Sequence, residues 1–132
     1  MIKDNPWRLK KKLTPQFSDH AGVLWHGAYL NWLEESRINA LSEAGMEYDD
    51  LLKLGFEMPV RELCINYILP ISFGESITIE SFFYITKSPR INIESYFLNT
   101  QKKCITQSKV QIVLVSRNTF IPIRKRPKEL DK

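Results

Sequence analysis

The chain has few of the residues that would staple a small fold or hold a metal. Its 132 residues include only two cysteines, Cys64 and Cys104, which lie far apart in strand-like stretches and form no C-x-x-C. Neither a zinc site nor a disulfide framework is therefore expected, and a reducing, cytoplasmic setting is the default. No glycine-rich loop of the P-loop or dinucleotide-binding type occurs. No apolar run approaches the roughly 20 residues that cross a bilayer. The start, Met1 to Arg8, lacks the continuous apolar stretch of a secretory signal. What is present is an ordinary globular composition, 43% apolar and 26% charged. The length suits one domain spanning 1–132, long enough for a real core and too short for two.

Positive charge collects at the ends. Residues 1–12 carry five bases against one acid, and residues 117–132 carry six against two, so the +4 chain has an acidic body of net −4. Basic tails at about 1–7 and 124–132 are the expectation. Nucleic-acid binders usually spread bases over a groove or sheet, so this distribution does not point to nucleic acid. The ends are either solvated or collect the phosphates of an anionic ligand.

The hydrophobic pattern gives one helix and several strands. Arg8 to Gln16 reads as a first strand with Pro15 near its end. From Ala28 to about Ala44, Tyr29, Leu33, Ala40 and Ala44 recur at helical spacing, and Leu30, Trp32, Ile38 and Leu41 widen the apolar surface. Such a helix should be wrapped on most of its circumference, with Gly45 as its C-cap. A short helix over Tyr48 to Leu54 follows. Strands are expected at Met58–Leu69, around Ile77–Ile85, from Ile91 onward and at Cys104–Val115, with Lys87-Ser88-Pro89-Arg90 as a turn. Short links between strands imply an antiparallel sheet, hence an α+β fold with a long helix cradled in a curved sheet of about five strands.

Reaction chemistry is concentrated in residues 17–30. Asp19 stands three residues before Gly22 and seven before His26, where the long helix is about to begin. A carboxylate thus falls next to a set of free backbone N–H donors. The structural alternative is an Asx-turn or capping aspartate.

The run Asp19-x-x-Gly22-Val23-x-Trp25-His26-x-x-Tyr29-x-x-Trp32-Leu33-Glu34-x-x-Arg37 resembles the signature of hot-dog fold thioesterases. It is closest to the hydroxybenzoyl-CoA thioesterase branch and its bacterial acyl-CoA thioesterase relatives. The resemblance covers about residues 7–123 and implies a homodimer or homotetramer with active sites between subunits. It also implies metal-independent hydrolysis of acyl-CoA or aromatic acyl-CoA thioesters, without a cofactor beyond the coenzyme A of the substrate. In that reading the His26 N–H is the oxyanion donor, and Asp19 is either the base that activates water or a nucleophile. Gly22, Val23, Trp25, Gly27 and Tyr29 surround the substrate. Lys87, Ser88 and Arg90, followed by Arg124, Lys125 and Arg126, meet the phosphates of CoA.

Two alternatives stay open at this point. The substrate could be carried by an acyl carrier protein, or the chain could be a silent acyl-CoA-binding module. Relatives commonly show Phe-x-Asp-x-Asp-x-x-Gly, whereas Phe17-Ser18-Asp19 runs directly into His20-Ala21-Gly22. The loop is two residues shorter and keeps one aspartate. Counting back from Gly22 puts Asp19 on the catalytic position.

Overall fold

The computed structural model describes residues 6–43, 45, 47–85 and 87–116. Strand β1 (Trp7–Lys12) alternates strictly, with Trp7, Leu9 and Lys11 toward the core side and Arg8, Lys10 and Lys12 outward. It stops earlier than the sequence suggests. Pro15 presets the backbone of a 3-10 turn, Pro15–Phe17, instead of extending the strand. Helix α1 (His26–Glu43) begins two residues before the expected Ala28. Gly45 follows it at φ +85°, a conformation that costs a residue with a Cβ. Helix α2 (Tyr48–Lys53) is short.

The remaining elements are β2 (Phe56–Glu57), β3 (Val60–Tyr67), β4 (Ser76–Ile85), β5 (Arg90–Leu98), β6 (Cys104–Val113) and β7 (Val115–Ser116). The main sheet has the order β1-β4-β5-β6-β3, and each neighbouring pair is antiparallel. The expected strand Met58–Leu69 is trimmed to β3, with Met58 and Pro59 separating it from β2, and Cys104–Val115 is broken at Leu114. At the breaks the Pro59 carbonyl accepts Val113 N–H at 3.1 Å, and Leu114 N–H reaches the Pro89 carbonyl at 2.9 Å. This frees β2 and β7 to pair as a separate two-stranded ribbon. The α+β hot-dog arrangement, one long helix on a five-stranded antiparallel sheet, is the observed one.

Packing fixes the helix on the sheet. Trp32 and Phe97 are buried and stacked, 6.4 Å between centroids at 19°, and Tyr29 lies 5.6 Å from the same Phe97 ring. A buried hydroxyl chain crosses the middle of this contact. Ser36 of α1 meets Ser81 at 3.2 Å, and Ser81 meets its cross-strand partner Ser95 at 2.7 Å. Ile79 and Phe97 on one side belong to a different apolar cluster from Phe83 and Ile93 on the other. Small side chains in that strip let the helix approach, and their mutual hydrogen bonds offset the cost of burying hydroxyls.

Two surfaces remain uncovered. Leu30 and Ile38 of α1 are exposed, so the helix is not wrapped on most of its circumference. It lies on one face of the sheet, and its opposite side faces outward. The edge strand β3 is exposed at seven of its eight residues, Val60, Leu63 and Tyr67 among them. An open edge lined with large apolar side chains is a template for pairing with another strand.

Phe97→Ala should remove the ring on which both Trp32 and Tyr29 rest. A loss of about 3–5 kcal/mol is expected in denaturant unfolding. A loss below about 1 kcal/mol would mean that this contact does not anchor the helix.

Candidate active site

The loop between β1 and α1 folds into a small closed unit. Trp25 N–H bonds the Phe17 carbonyl at 2.8 Å, and Asp19 N–H bonds the Val23 carbonyl at 2.8 Å. Between them Ser18 and Leu24 form an antiparallel bridge. Gly22 turns the chain at φ +81°, with open space where a Cβ would stand, so its conformation and not crowding calls for glycine. The unit is tied to the segment before β4 by Leu24 N–H to the Ile71 carbonyl at 2.8 Å and Phe73 N–H to the Gly22 carbonyl at 2.9 Å.

Asp19 organises this loop. Its Oδ1 accepts the backbone N–H of Ala21 at 2.8 Å and of Val23 at 3.3 Å, an Asx-type arrangement. Oδ2 makes no hydrogen bond among the described residues, and the residue is partly exposed. One carboxylate oxygen thus holds the loop while the other remains open. From Val23, which faces Asp19, to His26 is three residues of chain, at most about 10 Å.

Helix α1 starts at His26, and its first-turn N–H groups precede any intrahelical acceptor. By Ala28 the N–H is already engaged, to the Trp25 carbonyl at 2.9 Å. Beside this helix start lies a concavity of about 320 Å³ lined by Leu24, His26, Tyr29, Tyr67, Ile68, Leu69 and Pro70. Tyr29 forms its floor, with its ring edge-on to Tyr67 at 4.9 Å. Burial, above all, pushes the Tyr29 hydroxyl above its ordinary range; the Thr106 hydroxyl opposes the rise, while Tyr67 and Glu75 add to it. The phenol therefore stays neutral across the physiological range, an apolar wall with a polar tip.

The sequence-expected residues are only partly gathered here. His26 and Tyr29 line the concavity, whereas Asp19, Gly22, Val23, Trp25 and Gly27 do not. Trp25 is about 45% exposed and lies 5.5 Å from the His26 ring. Its indole covers the bare face of Gly27, where a Cβ would overlap the ring. The resemblance places Gly27 against the substrate; in the free chain the space beside it is taken by Trp25. Lys87, Ser88 and Arg90 are exposed at the β4–β5 turn, where Ser88 Oγ accepts Arg90 N–H at 3.2 Å. Strand β4 runs from the helix-start end of the sheet to that turn, and ten residues span about 30 Å. Within one chain these residues do not share a site with His26. Arg124, Lys125 and Arg126 lie outside the described residues.

Tyr67, Ile68, Leu69 and Pro70 escaped the sequence reading. They belong to an apolar run ending in proline, which looks like an ordinary strand end until the sheet order puts it at an edge. No cluster of histidine, cysteine, aspartate or glutamate of metal-holding size occurs among the described residues. No helix among them is long and apolar enough to cross a membrane.

The family profile described as the thioesterase-like superfamily matches residues 13–131. The chain belongs to this superfamily. Membership places it among thioester hydrolases. An esterase-named protein of Synechocystis sp. is 32% identical over 116 residues, covering 86% of this chain and 69% of the relative. A protein of Bacillus subtilis named as an acyl-CoA thioesterase, YneP, is 24% identical over 119 residues, covering 89% and 86%. Among solved structures, the DHNA-CoA thioesterase of Staphylococcus aureus superposes with a TM-score of 0.83 at 25% identity, covering 90% of this chain and 80% of that one.

Substitutions at Asp19 separate the structural from the chemical part of this candidate site. Asp19→Asn keeps an Oδ1 acceptor and should leave stability within about 1 kcal/mol of the parent. Asp19→Ala loses both loop bonds and should cost about 1–2 kcal/mol in denaturant unfolding. Gly27→Ala should displace the exposed Trp25 indole, changing its fluorescence, while thermal stability hardly moves because alanine favours the helix. Unchanged emission would place the indole elsewhere.

Proposed function

We propose that this chain hydrolyses acyl-CoA thioesters, aromatic acyl groups included, in a site completed by a second copy of itself. The observation that carries the reading is the pairing of a helix N-terminus at His26 with an apolar concavity beside it. A thioester carbonyl placed at the helix start would develop its negative oxygen against the His26 N–H and the positive end of the helix dipole. The acyl group would then rest on Tyr29 and Tyr67.

Asp19 supplies the remaining chemistry through its open oxygen. As a base it takes a proton from water, the water oxygen attacks the carbonyl carbon, and the C–S bond breaks to release the thiol and the acid. As a nucleophile it forms a mixed anhydride that water then opens. Either route works without a metal or a separate cofactor.

In this reading two copies join through β3. Antiparallel pairing of two β3 edges reverses one sheet relative to the other. The β4–β5 turn of the second copy then stands at the helix-start end of the first. Lys87, Ser88 and Arg90 of that copy reach the phosphates of CoA, which they cannot do within one chain. The exposed Val60, Leu63 and Tyr67 would be covered by the same contact. A cytoplasmic location suits the CoA substrate and the unpaired Cys64 and Cys104.

The test is thiol release from a panel of acyl-CoA, aromatic acyl-CoA and carrier-protein thioesters. Asp19→Asn should lower kcat by about 10²–10⁴ on the preferred substrate. Parent-like rates in that variant would remove Asp19 from the mechanism. A parent chain that binds acyl-CoA but releases no thiol would mark a silent binding module.

A further inference from the structure

The outer face of the sheet, away from α1, carries a second feature. Along β1 the cations are treated unequally. Arg8 is paired with Glu80 at 2.8 Å, and Lys11, on the helix side, is paired with Glu35 at 2.9 Å. Lys10 and Lys12 have no acidic partner among the described residues. They project from alternate positions of one strand face, about 6.5–7 Å apart. Opposite them on β4 stand the hydroxyl residues Thr78 and Ser76, in direct register.

These side chains border a concavity of about 400 Å³ that also meets Asn99 and Thr100 of the β5–β6 turn. Lys11 adjoins it as well, but its ammonium is held by Glu35. No carboxylate among the described residues lines the concavity. The Asn99 side chain has a fixed orientation, because its Oδ1 accepts the backbone N–H groups of Gln101 and Lys103, both at 2.9 Å. Its amide NH₂ therefore stays available as a donor. Two ammonium groups, three hydroxyls and an oriented amide make a surface rich in donors and cations.

We infer that this concavity, built by Lys10, Lys12, Ser76, Thr78, Asn99 and Thr100, is a binding site for a phosphate-bearing ligand. Like-charged lysines without carboxylates repel one another in the empty site, and an oxyanion between them relieves that repulsion. The hydroxyls and amide add short charge-assisted bonds to phosphate oxygens. The site is distinct from the helix start at His26, from the Lys87–Arg90 turn and from the thioester chemistry. It holds whether or not the chain is a hydrolase.

Inorganic pyrophosphate is the probe. Titrated into the full chain, it should give saturable ¹⁵N–¹H shifts at Lys12, Thr78, Asn99 and Thr100, weakened by added salt. Lys10→Gln with Lys12→Gln should bind it about tenfold or more weakly, with the rest of the spectrum unchanged as evidence of folding. Two further arms use CoA and pantetheine. If CoA moves the same amides and pantetheine does not, the phosphates of a CoA nucleotide are the ligand. If pyrophosphate alone moves them, a separate phosphorylated molecule is. Shifts that never saturate, that fall at other residues, or that survive in the double variant would overturn the site.

Discussion

The arrangement depends on where the first turn of α1 is held relative to the sheet. That turn puts backbone donors beside the apolar concavity, so a rotation or slide of the helix would move them away from it. Three kinds of contact hold the helix among the described residues. Trp32 and Tyr29 share the buried Phe97 ring, Ser36 joins the hydroxyl chain through Ser81 to Ser95, and Lys11 of β1 reaches Glu35. The first is apolar burial and dominates the energy. The second fixes register, because a buried hydroxyl displaced from its partner would lose its hydrogen bond. The exposed ion pair contributes little by itself.

A helix anchored this way leaves the chain with unfinished business at its edge. The same end of the sheet that supports the helix start also ends β3, and there the apolar Tyr67, Ile68 and Leu69 are exposed. In an isolated chain this is a cost; next to a second copy it becomes the wall of a cleft. The positions of Lys87, Ser88 and Arg90 make the same point from the other direction. Their chemistry suits phosphate, yet their own helix start is a full strand length away. The proposed assembly through β3 would account for both facts together.

Much of this was legible in the residues. Alternation located the strands because β4 and β5 bury one face, and helical spacing placed the start of α1 at Ala28, two residues after the observed His26. The misses have physical causes. Pro15 and Pro59 redirected the backbone at points where the apolar pattern ran on. The breadth of the apolar surface of α1 suggests wrapping on most of its circumference, but Leu30 and Ile38 face outward in the single chain. Tyr67 to Pro70 became part of a site only through sheet order, which no local pattern encodes. Trp25 covering Gly27 is likewise a tertiary fact, invisible in spacing.

In the proposed dimer each site draws Asp19 from one copy and the Lys87–Arg90 turn from the other, and subunit mixing decides whether it does. One chain carries Asp19→Asn, the other Lys87→Glu with Arg90→Glu, and each alone is assayed for thiol release from acyl-CoA. After unfolding and refolding together, half of the dimers combine the two, and one of the two sites in each regains all its groups. Recovery to about a quarter of the parent rate is the expected result. A mixture no more active than the average of its two components would contradict the shared site.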